Sequence, residues 1–364
     1  MKALHILYSG LGGSSSVVFS LLNENKKEFM IRQNVLFTGS YLFKGYGNKI
    51  KNLDSNYFFI KTKKFFSWFY WFKVFLFLCK DKPDLIFLHN FQFIPSLFYK
   101  IIFKKKIIYI DHQSEFFLKS RSLITTIFSL LFFDSIIFVN KKKSLRFKKK
   151  FNFFKKKIIH IPNSVDTELF KNLKYNNKKK VFIIGMAARL DFSKRHELII
   201  EALSHNKLKF LDISFSIAGQ GERIKELKQL VKRLNLNTKV IFTGSLNEKN
   251  IKSWYQNLSL YVHATNGEGM SISILEAMSM QIPVIGSNVI GVKNLLGVKP
   301  NIGLLFENSI EDLVNKIEFF FKLSKKNKRL FANHQREFIK ENYSSSIMFN
   351  KYKKVVLKTL LITN

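Results

Sequence analysis

The chain has 364 residues, 46% of them hydrophobic, which suits two domains with a core each and excludes a disordered protein. Its 61 lysines and arginines against 25 acidic residues leave a net charge of +36, which favours anionic partners: nucleic acid, an anionic membrane face or phosphorylated substrates. The single cysteine, Cys79, excludes an internal disulfide and a cysteine-built metal site and fits a reducing compartment.

Leu4 to Tyr8 predicts a buried first strand, and the apolar run here is too short for a signal peptide. Ser9-Gly10-Leu11-Gly12-Gly13-Ser14-Ser15-Ser16 is a flexible loop with capping residues, and Val17 to Leu22 starts a helix. A glycine loop between a first strand and a helix is the shape of a nucleotide-binding α/β domain, but the spacing is not the dinucleotide fingerprint and indicates no NAD site. Asn34 to Thr38 predicts a second strand. Lys61 to Lys80 is basic and aromatic and predicts a helix. Its apolar run from Phe65 to Cys79 is interrupted by Lys73 and, at roughly 15 residues, falls short of the ~20 that span a bilayer. Pro83 to Asn90 reads as a turn, a buried strand and a polar strand end. Ile107 to Ile110 is another strand, ending in Asp111-His112-Gln113. His89, Asn90 and His112 therefore sit at carboxyl ends of strands, where ligands bind in open α/β sheets. A helix near Ser122–Phe132 and strands near Ser135–Val139 and Ile158–Ile161 complete this half. Between them, Lys141–Lys157 holds ten Lys/Arg and no acid, with Phe147, Phe151, Phe153 and Phe154 interleaved.

Lys171 to Lys180 is polar, without apolar periodicity, and reads as a linker. A second α/β half follows. Val181 to Gly185 is a strand, and Arg189 and Lys194 stand five apart in the loop that leads to a helix from about Glu197 to Leu203. An Arg fork and a mobile Lys charge at this spacing both reach a diphosphate. Ile213 to Gly221 is a strand and glycine turn, Arg223 to Leu234 a helix, and Val240 to Leu246 a strand and loop. The strand Leu258 to His263 then leads into Asn266-Gly267-Glu268-Gly269-Met270-Ser271. Ser271 is an N-cap, so free N–H groups and the positive end of the helix point out of this loop, a ready site for phosphate. Glu276 lies over a turn inside the helix, which ends near Gln281. Two carboxylates flanking a phosphate cradle suit a sugar nucleotide, with hydroxyls at both ends. Ile310 to about Tyr343 predicts helix, and Ser346 to Leu361 a last amphipathic helix.

Glu268-Gly269-Met270-Ser271, followed by Leu275-Glu276-Ala277-Met278 and Ile282-Pro283-Val284-Ile285, resembles the donor-site signature of retaining glycosyltransferases of family 4. Ile161-Pro162-Asn163-Ser164-Val165-Asp166 resembles that family's interdomain segment, and Ala188-Arg189-Leu190 with Lys194 its Gly-Arg-Leu…Lys-Gly segment. Four departures stand out: Ser164, Ala188 and Arg195 each replace a glycine, and Lys293-Asn294 replaces a Pro-Glu end. The match is strong from Pro162 to about Phe306 and moderate before it.

The resemblance implies a GT-B fold: two Rossmann-like α/β domains facing across a cleft, with the C-terminal helix returning to the first. It divides the chain into an acceptor-side domain at 1–170, a linker at 171–180, a nucleotide-sugar-binding domain at 181–342 and a returning helix at 343–364. It implies that Arg189 and Lys194 hold the donor diphosphate and stabilise its departing charge. Gly12, Gly13, Gly269, Met270 and Ser271 complete the cradle. Glu276 binds the ribose hydroxyls and Glu268 the transferred sugar. His112 positions that sugar or stabilises the positive centre that develops. His89 and Asn90 match the acceptor side more loosely. No cofactor is implied beyond the nucleotide diphosphate sugar itself, and no metal, since the chain has no Asp-x-Asp. The expected acceptor is a glycan or a lipid-linked glycan of the surface-polysaccharide or lipopolysaccharide type. The charge, with the lysines and aromatics of Lys61–Lys73 and Lys141–Lys157, suggests an anionic membrane surface as a partner, hence a cytoplasmic protein peripheral to the inner face of the cell membrane. A sugar-nucleotide epimerase on the same fold is the nearest alternative. A nucleic-acid-binding protein is remoter, because no recognised motif for it appears.

Overall fold

The computed structural model describes residues 1–10, 12–28, 31–64, 66–90, 92–112, 120–172, 181–298 and 302–361. They form two compact units, Met1–Ser164 with Ser345–Asn364, and Val165–Ser344.

The first unit alternates strand and helix: β1 (Lys2–Tyr8), α1 (Gly13–Glu28), β2 (Arg32–Gly39), α2 (Tyr46–Lys51), β3 (Asn56–Lys61), α3 (Trp68–Asp81), β4 (Leu85–Leu88), α4 (Phe93–Phe103), β5 (Lys106–Asp111), α5 (Ser120–Phe132), β6 (Ser135–Phe138), α6 (Lys141–Lys150) and β7 (Ile158–His160). The strands build one parallel sheet in the order β3-β2-β1-β4-β5-β6-β7. β4 and β6 are buried along their whole length, which is why Leu85–Leu88 and 136–138 read as unbroken apolar runs rather than alternating ones. One sheet face, with Leu4, Ile6, Ile86 and Leu88, packs on Tyr70, Val74 and Leu78 of α3. The other, with Leu7, Val35 and Phe37, packs on Val18 and Leu22 of α1.

The second unit comprises β8 (Phe182–Ala187), α7 (His196–Ser204), β9 (Ile213–Ala218), α8 (Ile224–Arg233), β10 (Val240–Gly244), α9 (Glu248–Gln256), β11 (Leu260–His263), α10 (Ile272–Ser279), β12 (Val284–Ser287), α11 (Ile290–Leu296), β13 (Leu304–Phe306), α12 (Ile310–Lys322) and α13 (Lys325–Tyr343). Its sheet is parallel, in the order β10-β9-β8-β11-β12-β13. The last helix, α14 (Ser345–Leu361), belongs to the first unit. Tyr352 packs on Phe87 of β4, Ser164 donates to Met348 Sδ at 3.2 Å, and Lys353 pairs with Glu28 of α1 at 2.8 Å. Two Rossmann-like domains with a returning C-terminal helix are thus present.

Several sequence expectations need correction. The first break in the chain falls between Ser164 and Val165, ahead of residue 170, because Val165 and Phe170 are buried in the second unit's core. The second falls after Ser344 rather than 342. Of the expected linker 171–180, residues 173–180 lie outside the described residues, as do Leu11 of the glycine loop, Phe65 and Gln113. Lys61 is not helical. It closes β3, paired alongside Gly39 of β2, and the helix begins only after Ser67. The stretch from Ile310 to Tyr343 is two helices, because Leu323 and Ser324 are extended and Ser324 caps the second by accepting from the Asn327 N–H. Within Lys141–Lys157 most cations and Phe153 are exposed, but the other aromatics are not free platforms. Phe147 is buried, Phe151 and Phe154 pack beside it, and Lys143 turns inward.

Candidate functional site

In open parallel sheets, ligands bind beyond the carboxyl ends of the strands at the point where strand order reverses. In the second unit that point lies between β8 and β11. The loop after β8 carries Arg189 and Lys194, and the loop after β11 carries Glu268 to Ser271. Backbone and hydroxyl bonds lock the two loops together. The Asn266 N–H and Thr265 Oγ1 donate to the Ser193 carbonyl at 2.9 and 2.8 Å, and the Arg195 N–H donates to the Ala264 carbonyl at 3.1 Å. The Ser287 hydroxyl, at the end of β12, accepts from the Thr265 N–H at 2.9 Å. Gly291 of α11 lies directly behind the second loop. A Cβ there would stand 1.9 Å from the Glu268 carbonyl oxygen, so only glycine allows this approach.

This clamp sets Lys194 against Glu268 in a largely buried ion pair. His263, the last residue of β11, lies with Nε2 at 3.0 Å from the same carboxylate oxygen. Burial by itself raises the Glu268 pKa, but the Lys194 ammonium and the His263 N–H outweigh it and hold it at about 2. Burial lowers the His263 pKa, so its ring is neutral and donates through Nε2. Arg189, by contrast, is 71% exposed, and its described ion-pair partner is Asp191 at 3.3 Å. Arg195 pairs with Glu197 at 2.6 Å and donates to Asn266 Oδ1 at 3.2 Å, so its own charge is already answered.

Ser271 caps α10 as expected, accepting from the Ile274 N–H. One turn on, Glu276 accepts from the buried Tyr255 hydroxyl at 2.9 Å. Ser273 accepts at 2.8 Å from the hydroxyl of Tyr261, which neighbours both carboxylates. Met270 packs at the margin of the core beneath.

The first unit reverses its strand order between β1 and β4, so the glycine loop after β1 and the residues after β4 and β5 share one edge. The Gly12 carbonyl accepts from the Ser15 hydroxyl, which in turn meets the Tyr46 hydroxyl at 2.8 Å. Gly13 opens α1. Asn90 donates to Thr38 Oγ1 at 3.0 Å. His89 Nδ1 lies 3.0 Å from His112 Nε2, and His89 Nε2 lies 3.0 Å from His5 Nδ1. The end of β5 is fixed by a buried ion pair, Asp111 with Lys143 at 2.8 Å. Each unit thus gathers its own predicted residues: Arg189, Lys194, Glu268 to Ser271 and Glu276 in the second, Gly12, Gly13, His89, Asn90 and His112 in the first.

The family model for glycosyl transferases group 1 matches residues 166–337. The chain carries a group 1 glycosyltransferase domain. The O-antigen biosynthesis glycosyltransferase WbnH of Escherichia coli is 29% identical over 240 residues, 66% of this chain and 64% of WbnH. Protein CapJ of Staphylococcus aureus is 32% identical over 133 residues, 36% of this chain and 33% of CapJ. The match therefore spans a third of one relative and just under two-thirds of the other. Among solved structures, Anabaena HepE in complex with UDP and glucose superposes with a TM-score of 0.82 at 18% identity, over 98% of this chain and 99% of HepE, a likeness of fold.

Two residues of the glycosyltransferase domain escaped the sequence reading. His263 carried one signal, a polar residue ending a buried strand five positions before Glu268. Tyr255 carried none, because its link to Glu276 depends on how α9 packs.

Proposed function

We propose that this protein is a retaining, metal-independent glycosyltransferase of family 4 that moves a sugar from a nucleotide diphosphate donor to a glycan or lipid-linked acceptor. The observation that carries this reading is the arrangement around Glu268. A buried carboxylate, its Lys194 and His263 partners, an exposed Arg189 and the capped start of α10 all stand at the switch point of one parallel sheet. The fold shared with a UDP-bound structure and the match to an O-antigen transferase support a nucleotide sugar as donor and surface polysaccharide as product.

In this reading the bond from the anomeric carbon to the diphosphate oxygen breaks, the new bond forms to an acceptor hydroxyl oxygen on the same face, and the hydroxyl proton passes to the departing diphosphate oxygen. Negative charge grows on the leaving diphosphate. Arg189 answers it with a fork of donors, and the α10 amides with their aligned dipoles. Lys194 bridges the diphosphate and Glu268, which orients the sugar hydroxyls. Glu276 takes the ribose hydroxyls, held in its rotamer by Tyr255. By resemblance to the family, Gly12 and Gly13 are assigned to the diphosphate, His112 to the sugar, and His89 and Asn90 to the acceptor. An epimerase shares this site but needs no acceptor. The test is a thermal-shift panel of UDP-, GDP-, ADP- and CMP-sugars with and without EDTA, followed by product analysis. A donor that raises Tm equally in EDTA and gives a retained glycosidic product supports the reading; epimerised donor without transfer, or loss of the shift in EDTA, overturns it.

One observation favours a membrane-associated acceptor. The inner stripe of α3 is core, yet its outer stripe leaves Trp68 70% and Phe69 78% exposed, beside exposed Lys63, Lys64 and Lys73. Phe98, Ile101 and Ile102 of the adjoining α4 are exposed as well. Aromatic bodies at the headgroup boundary with wet lysines around them are the chemistry of an anionic, interfacial surface. Among the described residues, no helix is long and apolar enough to cross a membrane. A protein peripheral to the cytoplasmic face accords with both.

A further inference from the structure

Three histidines from three neighbouring strands form a continuous chain inside the first unit. Gln33 Oε1 of β2 lies 3.1 Å from His5 Nε2; His5 Nδ1 lies 3.0 Å from His89 Nε2; His89 Nδ1 lies 3.0 Å from His112 Nε2. His5 is stacked on Phe87 with ring centroids 4.6 Å apart and planes 11° apart, and His89 on His112 at 5.3 Å and 18°. His5 is fully buried and His89 and Gln33 nearly so. A small, partly open pocket beside α14 is lined by His5, Gln33, Phe87 and Tyr352.

A neutral imidazole has one N–H and one lone pair, so a hydrogen bond at one nitrogen dictates the role of the other. Burial favours the neutral form of every ring here: His5 and His112 are pushed down to about 4, and His89 well below its ordinary value. The chain then has only two consistent states. With the Gln33 carbonyl toward His5, all three rings carry their proton on Nε2, and His112 Nδ1 is a hydrogen-bond acceptor. With the Gln33 amide turned over, all three carry it on Nδ1, and His112 Nδ1 is a donor. Any mixed state sets two protons, or two lone pairs, against each other inside the core.

We propose that Gln33, His5 and His89 are positioning residues that fix the tautomer of His112, with the Gln33 amide as the setting element and Nε2–H as the resting state. This rests on the transferase reading only for its consequence. An acceptor Nδ1 on His112 has one lone pair, which either takes a hydrogen bond from a sugar hydroxyl or faces developing positive charge, where a donor Nδ1 would present a proton. The coupling itself is a property of the first unit and stands or falls separately.

The test is long-range proton–nitrogen NMR of protein labelled with 15N-histidine, which reads the protonated nitrogen of each ring. At pH 7 the signals of His5, His89 and His112 are expected in one shared tautomer, Nε2–H. Gln33→Glu, an acceptor-only end, retains it. Gln33→Leu removes the setting group and moves His112 to a tautomer mixture, with kcat on the true donor falling about tenfold and KM little changed, recovered in Gln33→Glu. Should Gln33→Leu fail to fold, His5→Phe keeps the stack on Phe87 and cuts the chain in its middle, releasing His89 and His112 alike. If the three rings differ in tautomer, or His112 is indifferent to both Gln33→Leu and His5→Phe, the proposal is wrong. Shared and switchable tautomers in a protein that turns over no sugar nucleotide would uphold the chain and reject the transferase reading instead.

Discussion

His263 Nε2 donates to Glu268 Oε2 at 3.0 Å, from the end of a strand to the loop that the strand feeds. Lys194 completes the carboxylate's surroundings from another loop, so removing either partner leaves a poorly solvated charge behind. Lys194→Ala and Glu268→Ala are each expected to destabilise the fold, toward the lower end of the roughly 3–5 kcal/mol typical for breaking a buried pair, since the two side chains keep 12 and 17% exposure. Lys194→Met with Glu268→Leu should recover most of that loss. Urea denaturation of the singles and the double measures it. Independent, additive losses would show that the pair does not form.

Arg189 presents the opposite case. Its side chain is 71% exposed and carries little of the fold. Arg189→Ala should change stability by less than about 0.5 kcal/mol. It should lower kcat/KM on the true donor by roughly ten- to a hundredfold, the worth of a charge-assisted contact of about 1.5–3 kcal/mol. Undiminished kcat/KM in this variant would remove Arg189 from the diphosphate site.

The two carboxylates divide a ligand between them in the proposed reading. Glu276→Ala should weaken binding of the bare nucleotide diphosphate as well as the sugar donor. Glu268→Gln, which keeps the shape, should spare the bare nucleotide and weaken only the donor. Calorimetry with both ligands separates the roles, and equal effects from both variants would refute the division.

Acid should unfold the protein in two stages. Burial holds His5, His112 and His196 at about 4 and His89 well below its ordinary value, against about 6.5 in an unfolded chain. Between those values the unfolded state binds more protons, so stability falls as pH drops from about 6.5 toward 4. Glu268, held at about 2, adds a second loss as pH falls through the unfolded carboxylate range of about 4.3 toward 2. Tm measured from pH 8 to 3 should fall first through the histidine range, and His5→Phe should flatten that slope. A Tm unchanged between pH 6.5 and 4.5 would contradict the burial of these rings.

Membrane contact through α3 predicts binding to anionic vesicles that weakens with salt. Trp68→Ser with Phe69→Ser should cost affinity at all salt concentrations, whereas Lys63→Glu with Lys64→Glu should cost it mainly at low salt. Co-sedimentation that does not distinguish neutral from anionic vesicles would count against the anionic surface.

Most of the strands, though not β3 or β13, the place of Arg189, Lys194 and Glu268 in loops after strands, Glu276 on the helix that follows, and the Ser271 cap were legible in the sequence. Those features depend on local periodicity and turn chemistry, and a chain buried on both sheet faces writes them plainly. The sequence also marked His89 and His112 as strand-end residues. It did not show that they touch, or that His5 and Gln33 extend them into a chain, because neighbours in a parallel sheet come from strands separated by whole crossover helices. The same holds for Lys194 and Glu268, 74 residues apart, and for Lys143, one cation of a basic stretch in the sequence, which the fold buries against Asp111 of β5. The sequence pointed the α3 lysines and aromatics at a membrane surface, and an apolar helix can equally face a core. The helix answers both at once, because its fourfold spacing buries Tyr70, Val74 and Leu78 and turns Trp68, Phe69 and Phe72 outward. Local sequence decided which side chains are available and on which element. Which of them meet was decided by the register and adjacency of the strands, where burial makes an unpaired charge or ring nitrogen too costly to leave alone.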